Sequence, residues 1–171
     1  DKLKRSFQEH DAQLQEKMMD LSIQAKETEL KKKEAEIQAI ESRLKTEGGI
    51  SDYYLKHDEL LPTSHYKDGI ERDTQHLEDI RKRIARGERD DPDSTPLAEQ
   101  ASNTQQNIAE YSKQDKTLGP LLESRKRLKE SLNELSTDIE QLKREKDTIS
   151  LDSKKKKLKT DLIKQQMELR G

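Results

Sequence analysis

This sequence predicts an all-α protein: an elongated antiparallel coiled-coil hairpin with a break or elbow in mid-rod and a polar tip. Three observations predict it. Apolar residues are scarce while charge is plentiful and balanced. Leucines and isoleucines recur alternately three and four residues apart. The densest turn signal, GERDDPDSTP from Gly87 to Pro96, lies close to the midpoint of the 171 residues.

Hydrophobic residues make up 28% of the chain, against roughly 45–50% apolar in a typical domain. So few apolar side chains cannot fill a three-dimensional core. They suffice for a single seam between helices. Charged residues are 41%, with 34 Lys and Arg against 36 Asp and Glu, a net charge of −2. The chain as a whole is therefore no electrostatic glove for nucleic acid. There is no cysteine, which excludes disulfides, zinc–thiolate sites and cysteine catalysis. That is compatible with an intracellular setting, nuclear or cytoplasmic. No apolar run approaches the length needed to cross a membrane.

The elements follow in order. Residues 1–47 predict a first long helix with its stripe at Met19, Ile23, Leu30, Ile37, Ile40 and Leu44, and Lys26 and Lys33 in the intervening slots. Gly48-Gly49 ends it, since glycine suits the left-handed residue after a helix. A short helix over 50–61 follows, with Ser51 as cap. Pro62-Thr63-Ser64 interrupts the pattern, and Ser64 or Thr63 starts a helix over 64–87 that reaches the tip. Its stripe is Tyr66, Ile70, Leu77, Ile80 and Ile84. The tip turn is 88–96, with Ser94 or Thr95 as the next cap and Pro96 in the first helical turn. The returning helix comes in two parts, 97–118 and 121–170, because Gly119-Pro120 is expected to break or kink it. Its cleanest run is Leu128, Leu132, Leu135, Ile139, Leu142 and Ile149, interrupted by Lys146. The whole, 1–171, reads as one segment of a larger protein, since it begins at Asp1 and ends within the pattern.

Doubling back near Pro92 sets Gly119-Pro120 opposite Pro62-Thr63-Ser64. The seam phase slips between Ile149 and Leu158, and this falls opposite a slip between Leu14 and Ile23. Matched irregularities are what two arms of one hairpin show. Arms of about 75–80 residues give a straight rod of roughly 110 Å. The competing architecture is a parallel homodimer, which would put the prolines of the tip in mid-rod.

Four places are candidate sites. The elbow holds Tyr53, Tyr54, Leu60, Leu61 and Tyr66, a partner patch or a small local core, since aromatic anchors serve both. His57, Asp58, Glu59 and His65 nearby match no metal-ligand spacing and read as solvated surface. Lys154, Lys155, Lys156 and Lys157 are a possible nucleic-acid contact, although on a helix they spread around the axis; the opening KLKR, Lys2–Arg5, is a weaker one. The tip, Glu88–Thr95, is acidic and exposed in any hairpin. No phosphate loop, nucleophile elbow or metal or cofactor motif is present, so the segment does not read as an enzyme.

The breaks and periodicity resemble the arms of chromosome-organising SMC and Rad50-type ATPases. They also resemble helical hairpins inserted between domains of signalling adaptors and chromatin regulators. The Cys-x-x-Cys of the zinc hook is absent. Taken together, the sequence leads to a structural and interaction segment that spaces domains and mediates protein–protein association or dimerisation. The seam carries association with a helical partner; no small molecule or membrane is expected. One alternative is an SMC/Rad50-type arm with local DNA contact. Another is a self-assembling homodimeric coiled-coil scaffold.

Overall fold

Lys, Glu, Gln, Leu and Ala dominate the first 46 residues, and neither glycine nor proline occurs there. These are the residues that lose least on entering a helix. In the computed structural model, which describes residues 2–170, they form one helix, α1 (Lys2–Thr46). The side chains of Arg5, Phe7, Gln8 and Glu9 are outside the description. So are Asp1 and Gly171, the ends behind the expectation of an excerpted segment. A short helix α2 (Asp52–Lys56) and a 3₁₀ turn (Asp58–Leu60) follow, then α3 (His65–Ala85) and α4 (Leu97–Arg170). The described residues are all helix, turn and loop, with no strand.

Two compact units emerge: Asp1–Ala35 with Glu130–Gly171, and Glu36–Lys129. In the first, Asp20 pairs with Lys146, Glu27 with Lys143 and Lys26 with Asp138. Asp20 meets the later Lys146, while Lys26 and Glu27, further along α1, meet the earlier Asp138 and Lys143, so the two segments run in opposite directions. Ile23, Leu135 and Ile139 are buried here, while Leu30, Leu132, Leu142 and Ile149 are half-buried. In the second unit, Ile37, Leu44, Leu77 and Ile80 are buried, and Ile40, Ile70 and Leu128 half-buried. Gly69 is buried against Tyr111: a Cβ there would lie 2.9 Å from the ring. Glycine thus lets the ring of α4 approach the backbone of α3.

The structure corrects the expectations in five places. α4 is not interrupted at Gly119-Pro120; one helix of 74 residues runs through it. Pro120 and Lys116 are both exposed, so the carbonyl that loses its intrahelical donor belongs to a solvent-exposed residue. Gly119 has no Cβ to collide with the proline ring, which relieves the usual restriction on the preceding residue. Second, the seam does not slip. On α1 the covered positions run unbroken from Ala12 through Glu16, Met19 and Ile23 to Leu44. On α4 they continue past Ile149 to Ser153 and Thr160. Leu14 and Leu158, which suggested a slip, lie outside the seam and are exposed. Third, Ile84 is 44% exposed and does not belong to the buried seam.

The fourth correction concerns the short helix, which covers only Asp52–Lys56. His57, with φ −117° and ψ 84°, separates it from the 3₁₀ turn. The fifth concerns caps. Ser51 and Ser64 precede their helices without a side-chain capping bond. α4 is capped from further back: the Leu97 N–H donates to Asp90 Oδ1 at 2.9 Å. At the tip, Gly87 takes φ 74°, and Asp91 accepts from the Asp93 N–H at 3.0 Å. Arg83 and Arg86 both reach Glu88.

Leu135→Ala is expected to cost about 2–5 kcal/mol, the range for a truncated buried leucine. Pro120→Ala is expected to stabilise the chain by about 1–3 kcal/mol, because α4 regains a hydrogen bond and sheds the ring clash. Urea unfolding followed by circular dichroism measures both; an unchanged Leu135→Ala midpoint would refute its burial.

Candidate functional site

In the unit Glu36–Lys129 the chain leaves α1 and folds over the side of α4. Gly49 makes this reversal possible with φ 63°. The N–H groups of Gly48 and Ile50 both donate to the Leu44 carbonyl at 3.1 Å. A turn this tight places Ile50 back over the helix it has just left. α2 then points Leu55 inward, and the 3₁₀ turn delivers Leu61. These three join Leu44, Tyr66, Leu118 and Leu122 in one buried cluster, with Ile40, Tyr111 and Leu121 against it. A segment too short to hold a helix alone is thus held by three apolar anchors. Each such side chain is worth roughly 1.5–3 kcal/mol when fully buried.

One charged residue completes this knot. Arg125 occupies a seam position of α4 and is 4% exposed. Its Nε donates to Glu41 Oε1 of α1 at 3.1 Å. Its Nη2 donates to the Leu55 carbonyl at 2.7 Å and to Asp58 Oδ1 at 2.9 Å. One planar guanidinium thereby ties α1, α2 and the 3₁₀ turn to α4, which a lysine's point charge cannot reproduce. Lys129 Nζ also donates to both carboxylate oxygens of Asp58, at 2.9 and 3.0 Å. Partial burial by itself pushes Asp58 up. The Lys129 hydrogen bond and the charges of Arg125 and Lys129 outweigh it and hold the carboxyl below its ordinary value. His65 is shifted down, first by burial and then by the Arg72 charge, with Asp68 opposing.

A shallow cleft of about 420 Å³ lies beside the knot, lined by Gly48, Tyr54, His65, Tyr66, Tyr111 and Gln114 among others. The Tyr66 hydroxyl is buried without a hydrogen-bond partner. Burial pushes it up to about 12. Gly48 is the neighbour that gives it room: a Cβ there would come within 2.6 Å of the Tyr66 oxygen.

The expected partner patch therefore divides. Tyr66, at 1% exposed, and Leu61 are core and cannot meet a partner. Tyr53 and Tyr54, at 61% and 44% exposed, remain on the surface with Leu60. The two tyrosine rings stand edge to face, 6.0 Å between centroids, and His57 lies 4.6 Å from Tyr53. Asp58, read from the sequence as solvated surface, is exposed and is at the same time tied into the Arg125 network. Among the described residues no group of three or more His, Asp or Glu could hold a metal. Lys154, Lys155, Lys156 and Lys157 are all exposed. Lys156 and Lys157 line a second cleft with Asp11, Asp152 and Asp161. Arg125 and Glu41 went unread in the sequence. The available signal was an arginine occupying a seam slot between Leu122 and Leu128, where a solvated charge has no reason to sit.

No protein-family model matches the chain, and no curated protein or solved structure matches it.

Arg125→Lys is expected to destabilise this unit by about 1–3 kcal/mol, the cost of leaving hydrogen-bonding groups unpaired. It is also expected to speed amide exchange over residues 50–61. Exchange confined to global unfolding would show the clamp to be idle. Tyr66→Phe is expected to be neutral or stabilising, because the hydroxyl has no partner to lose; a clear loss in urea unfolding would contradict its orphan state. Acid is expected to weaken the unit in two stages. His65 takes a proton more readily unfolded than folded, so stability falls below about pH 6.5. Asp58 is held ionised by its partners, so its contribution is present at neutral pH and is lost on descending below about pH 4. Melting temperature against pH reads both, and Asp58→Asn should remove the lower stage.

Proposed function

We propose that this chain is a structural and interaction segment, an antiparallel coiled-coil hairpin that spaces domains and mediates protein–protein association. The observation that carries this is the division of its apolar residues in the unit Asp1–Ala35 with Glu130–Gly171. One line, including Ile23, Leu135 and Ile139, is spent on joining the two helix segments. Leu14, Met18 and Leu21 on α1 and Leu151, Leu158 and Leu162 on α4 remain exposed. A helix pair that needed only to hold itself together would carry charge at those positions. Apolar side chains left outside at helical spacing supply what a helical partner binds. The exposed pair Tyr53 and Tyr54 adds a second contact of different chemistry, with the Arg125 knot beneath as rigid support.

Cross-linking with a lysine-reactive reagent at low protein concentration tests the hairpin. Links of Lys26 to Lys143 and of Lys17 to Lys146 are expected within single chains. Interchain links between identical lysines, without these two, would support a parallel dimer and defeat the proposal. A second reading, an SMC/Rad50-type arm with local DNA contact, is favoured by the exposure of Lys154 to Lys157. It requires DNA binding that weakens steeply with salt and disappears when the four lysines become glutamine. Absence of binding at low salt removes it.

A further inference from the structure

The outward face of α4 near its end is a seam in its own right. Successive residues of a helix turn by about 100°, so Leu151 points almost opposite to the covered Ile149. From there Leu151, Lys155, Leu158 and Leu162 follow at spacings of four, three and four. The three leucines are 53%, 63% and 59% exposed. Charges flank this line on both sides: Asp152 and Lys159 on one, Lys154 and Asp161 on the other, all exposed.

Those four charges distinguish the possible occupants. We propose that the stripe Leu151–Leu162 binds the same stripe of a second copy of this chain, with the two α4 helices antiparallel. Leu151 then meets Leu162 of the second copy, and Lys155 meets Leu158, each contact occurring twice about a two-fold axis. In that register Asp152 faces Lys159 of the other copy, and Lys154 faces Asp161. All four flanking contacts are attractive. A parallel pairing instead sets Lys154 against Lys159 on both sides, and like charges there oppose association. Lys155 sits in the seam, where its aliphatic stem covers the opposing leucine while the ammonium reaches solvent. A charged residue at such a position lowers affinity and fixes register. Beyond the stripe the pattern gives out: the same register brings Asp147 against Glu168. The contact is therefore short, about three helical turns, and suits a weak, reversible dimer.

This proposal rests on the reading of the chain as a helix-association segment and supplies its partner. Sedimentation equilibrium of the full chain is expected to show a monomer–dimer equilibrium with a dissociation constant on the order of 10 μM. The constant should weaken at about 1 M salt, where screening is nearly complete. Lys154→Glu with Lys159→Glu is expected to weaken the dimer at least tenfold. Adding Asp152→Lys and Asp161→Lys to the same chain is expected to restore it. Spin labels at Leu169→Cys are expected to lie about 35–40 Å apart across the dimer, against roughly 10 Å for a parallel pair. The surface charge variants are expected to leave helicity unchanged by circular dichroism, which separates a failure to pair from a failure to fold. A monomer at every concentration overturns the self-pairing, as does a dimer indifferent to the charge exchange or a short label distance. Intrachain Lys26–Lys143 links in those same samples would leave the hairpin, and its role with a different helical partner, standing.

Discussion

The guanidinium of Arg125 marks the constraint on which the second unit depends. At this level α4 has two neighbours at once, the end of α1 and the α2 segment that folds back over it. A helix offers one stripe of side chains to one partner; two partners demand a wider or a turning face. Along α4 one line of covered positions keeps strict seven-residue spacing, through Thr104, Tyr111, Leu118 and Arg125 and on to Leu132 and Ile139. Its companion line crosses over, from Ile108 and Leu122 on one side to Leu128 and Leu135 on the other. The crossing happens at Arg125. An arginine suits the place because its fork reaches a carboxylate on one neighbour and a carbonyl and a carboxylate on the other.

The apolar cluster and the charged clamp are complementary. Ile50, Leu55 and Leu61 supply the free energy that holds a segment with little helix of its own. Arg125 and Lys129 supply orientation, because hydrogen bonds to the Leu55 carbonyl and the Asp58 carboxylate fail if the segment rotates. The unpaired Tyr66 hydroxyl shows that packing outweighs polar satisfaction at the centre of the cluster. Its ring fills the space above Gly48, and the hydroxyl is carried in with it.

In the other unit the opposite balance holds. The inward seam contains Glu16, Lys26, Lys33 and Lys146, whose stems cover the helix contact while their charged ends reach ion partners or water. Lys26 and Lys146 find Asp138 and Asp20. Exposed ion pairs of this kind contribute little to stability, but they favour the register in which they form. Polar residues thus occupy inward slots of this unit, while Leu14, Leu21, Leu151, Leu158 and Leu162 stay exposed.

Local rules acting along the chain suffice for the helical class, for the bounds of α1 and α3 and for the inward positions of most seam residues. Helix formers, three–four spacing, and glycine or proline at Gly48-Gly49, Pro62 and Gly87–Pro96 act through local sterics, which need no partner to operate. Tertiary structure alone decided what those rules leave open. Pro120 is tolerated inside a helix because it and Lys116, whose carbonyl it leaves without a donor, are both exposed, and exposure is a property of the fold. Leu14 and Leu158 look like seam residues out of phase, yet they are a separate outward line, because the true line passes through Ala12, Ser153 and Thr160, which hydrophobicity does not mark. Arg125 looks like one more surface charge until the α2 segment covers it. In each case the deciding quantity is which face meets another part of the chain, and a periodic pattern records that a face exists without recording what lies against it.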